Sequence, residues 1–293
     1  MVAQRAETPV SRAICLTQTV AMVAIVMLGT GTPNPDPARA GSAVAVTDGD
    51  RFVLVDCGRA ATHRMLEAGL QLGGLDAVFI THHHSDHVSD LATLATMRWV
   101  SGTGTPLTVI APRGPAARYA QRCLDAHEDQ SFHGQAPSSA GSRPVIAVQP
   151  FDAAPTVTTV YSGGPWTVDA ALVDHHPVAP AVGYLVRHGE LRVAISGDTA
   201  VCDGMRQLAH GADVLVHEAL LGASVRPALL EWNASAEAVG ELARSAGVGR
   251  LVLTHAIPAP SSEPIRQRYI DDVRAGGYTG PVLVASDLDR LEN

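Results

Sequence analysis

Residues 77–87 read Ala77-Val78-Phe79-Ile80-Thr81-His82-His83-His84-Ser85-Asp86-His87, and the fold follows from how this stretch is read. The apolar run Ala77 to Ile80 has the length and composition of a buried strand. It delivers His82-x-His84-x-Asp86-His87, three imidazoles and a carboxylate within six positions. Imidazole nitrogen and carboxylate oxygen are the natural ligands of zinc and its borderline neighbours. Three protein ligands with an open position are the pattern of a catalytic metal. The competing reading is a solvated His-rich loop, and the interleaved acid and the preceding strand argue against it.

The same arrangement recurs further along. Ala170-Ala171-Leu172-Val173-Asp174 ends at His175, Val193-Ala194-Ile195-Ser196-Gly197 ends at Asp198, and Leu251-Val252-Leu253-Thr254 ends at His255. Four strands thus point metal-binding groups from one end. Ligands at strand ends are held by the sheet, which gives the fixed geometry a two-metal site needs. His175 and His176 are adjacent and either could face the metal. His175 follows the strand directly, whereas His176 precedes Pro177 and begins the turn, so His175 is the expected ligand and its neighbour a contact to substrate or to a ligand. Asp56, at the end of the run Phe52 to Val55, has two readings. It is either a turn former before Cys57-Gly58 or a hydrogen-bond partner for a metal-bound histidine.

Composition narrows the function classes. A chain of 293 residues with 46% hydrophobic residues can bury a sizeable core, in one large domain or two small ones. The 29 acids against 21 bases leave a formal charge of -8, which exerts no general pull toward nucleic acid or an anionic membrane. An RNA substrate would need a local basic patch. Every base is Arg, so the absence of Lys removes Schiff-base chemistry and the P-loop lysine. Cys15, Cys57, Cys123 and Cys202 form no Cys-x-x-Cys pair, which points away from a zinc knuckle and a dense disulfide framework and toward a reducing cytoplasm.

The apolar stretch Ala13 to Leu28, preceded by Arg5 and Arg12, has some features of a signal peptide. Thr17, Gln18 and Thr19 interrupt it, and Val23 to Leu28 leads into the turn Gly29-Thr30-Gly31-Thr32-Pro33 as a first core strand would. Met22 is then a plausible start, residues 1–21 a disordered extension, and 22–293 one domain. Nowhere does the chain offer the roughly 20 uninterrupted apolar residues of a membrane span.

Strands are expected at Val23 to Leu28, Ser42 to Thr47, Phe52 to Val55, Ala77 to Ile80, Thr156 to Val160, Trp166 to Val173, Val182 to Val186, Arg192 to Ile195, Asp213 to Val216 and Arg250 to Leu253. Helices are expected at Ala61 to Ala68, Leu91 to Trp99, Gly114 to His127, Ala234 to Ala246 and Pro264 to Val273. Ser131 to Pro144, rich in Ser, Gly and Pro, reads as a loop. Mixed strands and helices with antiparallel hairpins predict an α/β sandwich in which helices cover packed sheets.

These motifs resemble the metallo-β-lactamase superfamily. Its defining pattern matches His82, His84, Asp86 and His87 position for position, and Leu28 to Pro33, Leu54 to Gly58, His175, Asp198 and His255 follow in the expected order. The resemblance implies an αββα sandwich of two packed mixed β-sheets flanked by helices. It implies two metal ions, with His82, His84 and His175 on one, Asp86, His87 and His255 on the other, and Asp198 bridging. Zinc is the expected metal, although such mixed ligands also suit manganese or iron.

Within the superfamily the chain is similar to the group containing ribonuclease Z and arylsulfatase-like hydrolases. Val214-Leu215-Val216-His217-Glu218-Ala219 is similar to the His-Glu-Ala-Thr motif of ribonuclease Z, with Leu220 as the last residue. By that resemblance His217 protonates the leaving oxygen and Glu218 orients it, while Asp86 holds a metal and accepts the proton of the attacking water. The other reading of His217 is a buried structural histidine. The implied substrate is an anionic ester, either an RNA 3′ end or a small aryl ester. Phosphodiester cleavage is the first expectation and an arylsulfatase-like or other small-ester activity the alternative. Homodimers are common in the ribonuclease Z group.

The chain departs from that group in two places. Ser85 stands where ribonuclease Z usually has Gly, and no tRNA-gripping arm is evident. The segment Arg113 to Pro144 carries four arginines, Arg113, Arg118, Arg122 and Arg143, against Asp125, Glu128 and Asp129, a poor RNA clamp. Trp99, Phe132, Tyr161 and Trp166 are candidate walls for an aryl group, or ordinary core residues. A flavodiiron oxidoreductase would need a carboxylate where His83 stands and a flavodoxin partner domain. A non-enzymatic metal-binding member is opposed by the presence of all seven expected ligands.

Overall fold

The computed structural model describes residues 23–103, 106–127 and 143–292. The expectations for residues 1–21 and Met22, for most of the 131–144 loop and for Phe132 lie outside the described residues. The first sheet is built from β1 (Ala24–Gly29), β2 (Ala43–Thr47), β3 (Phe52–Val55), β4 (Leu75–Phe79), β5 (Leu107–Pro112) and β6 (Ile146–Phe151), in that order across the sheet. The second runs β7 (Thr158–Gly163), β8 (Trp166–Leu172), β9 (Val182–His188), β10 (Leu191–Ile195), β11 (Val214–Leu220), β12 (Arg250–Ile257) and β13 (Val282–Val284). The last strand, β14 (Arg290–Glu292), returns to pair with β1, so each sheet has seven strands. Both sheets are mixed. Antiparallel hairpins come first in each, and parallel strands linked through helices follow.

The period-2 alternation of side chains explains the layering. In β1, Ile25 and Met27 enter the core between the sheets, while Val26 and Leu28 face outward. That outward face is covered by α1 (Ala61–Glu67), α3 (Leu91–Val100) and α4 (Pro115–Arg122), with α2 (Ser85–Val88) a single turn at the edge. On the second sheet α5 (Asp203–Ala209), α6 (Ala236–Ala246) and α7 (Glu263–Ala275) do the same. Strands buried on both faces read as apolar runs, which is why they were legible in the sequence. The result is the expected four-layer αββα sandwich. Among the described residues no helix is long and apolar enough to cross a membrane.

β5, β6 and α5 were not expected. β6 pairs only with β5, and an edge strand tolerates Pro150. α5 begins Asp203-Gly204, which reads as a turn; a Cβ on Gly204 would collide with the Leu172 carbonyl oxygen, so glycine lets the helix close on β8. The Gly-rich turn after β1 is held by Asp287, whose carboxylate accepts from Thr30 N and Oγ1, Ala40 N and Arg64 Nε. That contact ties the end of the chain to its first strand.

A candidate metal centre at the strand ends

β8, β10 and β12 run in one direction, and their carboxyl ends, with that of β4, bring the motif residues together. Thr81 and His82 follow β4, His84 precedes α2, and Asp86 and His87 lie on its single turn. His175 follows β8, Asp198 follows β10, and His255 lies within β12 with φ 47°. Ligand atoms of His82, His84, His175 and Asp198 lie within 4.8 Å of one another, and those of Asp86, His87 and His255 form a second such group. His176 is exposed while His175 is buried.

Asp198 faces both groups. Its Oδ2 is 4.0 Å from His82 Nε2 and 3.9 Å from His175 Nε2, and its Oδ1 is 3.4 Å from His87 Nε2 and 3.5 Å from His255 Nδ1. His255 Nε2 is 3.1 Å from Asp86 Oδ2, and His175 Nε2 is 3.4 Å from His84 Nδ1.

The rear of three of the imidazoles is anchored. His87 Nδ1 donates to Asp56 Oδ2 at 2.7 Å, His82 Nδ1 meets Thr81 Oγ1 at 3.0 Å, and His175 Nδ1 donates to the Trp232 carbonyl at 3.1 Å. Thr81 Oγ1 in turn bonds the Asp56 carboxylate at 2.9 Å, and Thr81 N donates to it at 2.8 Å. A ring proton committed to Nδ1 leaves Nε2 as a lone pair directed into the cluster. Asp56 has φ 61°, and its carboxylate is engaged by Thr81 and His87 rather than by a local turn, which favours the hydrogen-bonding reading of that residue over the turn former.

This geometry tests whether a metal fits. His82 Nε2, His87 Nε2, Asp198 Oδ1 and His255 Nδ1 are buried and have no hydrogen-bond partner. Buried polar atoms without partners are costly, and four of them converging from three chain segments fit divalent cations. The titration of the cluster agrees. Burial, then the charge of His87, holds the His82 imidazole well below its ordinary range. Burial also opposes a charge on His87, yet the carboxylates of Asp198 and Asp56 raise it well above. Burial would raise Asp198, but His255 and His87 hold it well below the carboxylate range. Positive charge is thus favoured at His87, between the Asp198 and Asp56 carboxylates, while His82 and His84 are held in the neutral form a ligand needs.

The two residues of the His-Glu-Ala stretch are brought close to each other but face different ways. Along β11, Val214 and Val216 enter the core between the sheets, whereas Leu215 and Ala219 face the outer helices. Glu218 shares the first parity, and its Oε1 accepts from Thr199 N at 2.6 Å, next to Asp198. Burial and then the Asp198 charge raise its carboxyl well above the ordinary range, so it is held as a neutral acid. His217 shares the second parity. It meets Glu218 through the backbone carbonyl, 2.7 Å from Nδ1, and burial lowers its pKa to about 4. Among the described residues its ring makes no hydrogen bond, ion pair or ring contact with the seven candidate ligands.

Thr81, Thr199 and the Trp232 carbonyl are the contributors the sequence did not reveal. Thr81 adjoins the motif, but nothing in the sequence connects Trp232 with His175. Trp99 and Trp166 are core residues, with Trp166 Nε1 donating to Asp76, and Tyr161 packs edge-on against Phe79. A cavity of about 390 Å³ is lined by the turn after β1 and by residues 256–259, which follow His255 in the chain.

Residues 51–256 match the family described as Beta-lactamase superfamily domain. The chain is 36% identical over 291 residues to ribonuclease Z of Mycobacterium sp. (strain KMS), across 92% of this chain and 96% of that protein. It is 33% identical over 281 residues to ribonuclease Z of Mycobacterium bovis (strain BCG / Pasteur 1173P2), across 92% and 98%. Among solved structures, human tRNase Z, short form, superposes with a TM-score of 0.70 at 23% identity, over 92% of this chain and 98% of that one. The metallo-beta-lactamase fold protein YhfI from Bacillus subtilis superposes with a TM-score of 0.69 at 20% identity, over 93% and 100%. These two likenesses are of fold.

Proposed function

The chain belongs to the beta-lactamase superfamily and, within it, to the ribonuclease Z family, and from that premise we propose that it is a phosphodiesterase cleaving RNA at a 3′ end with two divalent cations, zinc first among them. The observation that carries the proposal is Asp198, one carboxylate with an oxygen turned to each of two histidine groups. In this reading His82, His84 and His175 hold one ion, Asp86, His87 and His255 the other, and Asp198 both.

When bound, such a pair of cations lowers the pKa of a water held between them and offsets the charge that builds on the ester's non-bridging oxygens. The chain's own residues do the rest. Asp86, a buried member of the second group, accepts the proton of the attacking water. Asp56 and Thr81 keep His87 and His82 in the tautomer that presents Nε2. Glu218, as a neutral acid, keeps the Asp198 turn in place through Thr199 N. His217 is assigned to protonate the leaving oxygen. Its Nδ1 proton is engaged by the Glu218 carbonyl, so it must take up a proton at Nε2 and carry it toward the site.

The core positions of Trp99 and Trp166 weigh against a small aryl ester as the preferred substrate, because neither supplies a wall for the aryl group. The test is hydrolysis of bis-p-nitrophenyl phosphate, p-nitrophenyl sulfate and a tRNA precursor with a 3′ trailer by metal-analysed protein, beside Asp86→Ala and His217→Ala. Phosphodiester and precursor cleavage that Asp86→Ala abolishes supports the reading. Turnover of the sulfate alone replaces it with an arylsulfatase-like activity, and silence with two metals bound removes both. One domain over residues 22–293, a cytoplasmic location and a homodimer belong to the same proposal, and light scattering of the full chain checks the last.

A further inference from the structure

The chain has three tryptophans, and they divide by position. Trp99 and Trp166 belong to the core, at 6% and 1% exposure. Trp232 lies outside it and is partly exposed, and among the described residues its indole makes no hydrogen bond and no ring contact. An indole offers a large flat apolar face together with an N–H, and this one has neither engaged.

The main chain fixes where Trp232 stands. Its carbonyl accepts from His175 Nδ1 at 3.1 Å, and the other nitrogen of that ring, Nε2, lies 3.9 Å from Asp198 Oδ2 and 3.4 Å from His84 Nδ1. A single imidazole therefore separates the Trp232 backbone from the first metal group. Trp232 closes an open segment, residues 222–232, made of two short 3₁₀ turns, Gly222–Ser224 and Pro227–Glu231, with no fully buried residue. The ends of that segment are clamped at the metal-bearing end of the second sheet. Leu221 N donates to the Ile257 carbonyl at 3.0 Å, just past His255, and Leu220 N donates to the Ala234 carbonyl at 2.9 Å.

We propose that the Trp232 indole is the stacking platform for the nucleobase adjoining the scissile phosphate, on the His82, His84 and His175 side of the centre. Every base presents a π-face, so one platform accepts any nucleotide, and stacking needs no positive charge. That suits a chain whose net charge is -8. The spacing favours a base over a small aryl ester. The ring of an aryl ester is joined to the scissile group through one oxygen, whereas a base is held away from its phosphate by the sugar, as Trp232 is held away from the metal group by the His175 ring. The inference rests on the phosphodiesterase reading and adds to it where the neighbouring base binds.

The link from Trp232 to His175 is a backbone carbonyl, so Trp232→Ala removes the indole and leaves that anchor in place. The experiment compares wild type, Trp232→Ala and Trp232→Phe on a single-stranded oligoribonucleotide, on two versions of it made abasic on one or the other side of the cut, and on bis-p-nitrophenyl phosphate. Trp232→Ala is expected to lower kcat/KM for the intact oligonucleotide about tenfold, carried mainly by KM, and Trp232→Phe to keep most of the activity. On one of the abasic substrates wild type should fall to the level of Trp232→Ala, and on the small ester the two should be equal. Binding gives a second readout. The oligonucleotide should quench the indole emission of metal-free wild type and not that of metal-free Trp232→Phe, which retains only the two core tryptophans. Equal losses in Trp232→Ala on all four substrates, or no loss on the intact oligonucleotide, overturn the platform alone. Should Trp232→Ala fold poorly, undiminished cleavage of both abasic substrates by wild type, or equal quenching of wild type and Trp232→Phe, overturns it as well. If wild type cleaves the small ester and not the oligonucleotide, or neither, the functional reading fails and the platform falls with it.

Discussion

Asp56→Asn exchanges one buried oxygen for an NH2 group and, by that exchange alone, should cost the second metal group its affinity. Asp56 is 2% exposed and receives Thr81 N at 2.8 Å, Thr81 Oγ1 at 2.9 Å and His87 Nδ1 at 2.7 Å. An asparagine that keeps its oxygen on Thr81 N turns its NH2 toward His87 Nδ1, so donor meets donor. His87 relieves this by moving its proton to Nε2, the atom that faces Asp198 and the second group. The tautomer is then wrong for a ligand. Loss of such an orienting partner typically weakens metal affinity by about 10- to 100-fold, or roughly 1.4 to 2.7 kcal/mol. The first group should lose less, because His82 reaches Asp56 only through Thr81. Zinc titration in competition with a chromophoric chelator resolves the two affinities, and a melt of the metal-free protein controls for folding. Wild-type affinity at both groups would refute the argument, and equal weakening at both would show general damage in place of a tautomer effect.

Other residues make equally definite predictions. Glu218→Ala orphans Thr199 N and should cost the metal-free protein about 1 to 3 kcal/mol, whereas Glu218→Gln keeps an acceptor there. Because the folded-state pKa of Glu218 is raised, its stabilising contribution is complete below the ordinary value of 4.5 and is lost as pH rises through the folded value, so Glu218→Gln should match or exceed wild type in melts at neutral pH and lose that margin in acid. A deficit at neutral pH would contradict a neutral buried acid. Tyr184→Phe removes the bond from Tyr184 Oη to the Ile80 carbonyl at 2.7 Å, just ahead of the motif, and should cost about 1 to 3 kcal/mol in denaturant unfolding, with no loss if that carbonyl finds water. Burial raises the Cys123 thiol from 9.0 to about 11, so at pH 8 its alkylation in the folded protein should run about 100-fold slower than in the unfolded chain, read by mass spectrometry. Equal rates would show that the thiol is not shielded.

What the sequence determined by itself was local. An apolar run long enough for one strand and followed at once by a ligand is a pattern of consecutive residues, and it was readable at β4, β8, β10 and β12. Buried-strand periodicity and the chemistry of imidazole and carboxylate need no distant partner, so the sandwich and the seven candidate ligands that the fold gathers into two groups were legible. β6 and α5 were missed because Pro150 and Gly204, taken locally, argue against strand and helix; only the edge position of one and the close approach of the other make them fit. The tertiary structure alone decided the pairings across long separations. These put one Asp198 oxygen toward each group, anchored His175 on the Trp232 carbonyl 57 residues away, and turned Glu218 toward Thr199 and away from the His217 ring. They also gave Arg113 and Arg122 their carboxylates, an assignment no charge count can make, because an ion pair depends on the distance between two groups in space.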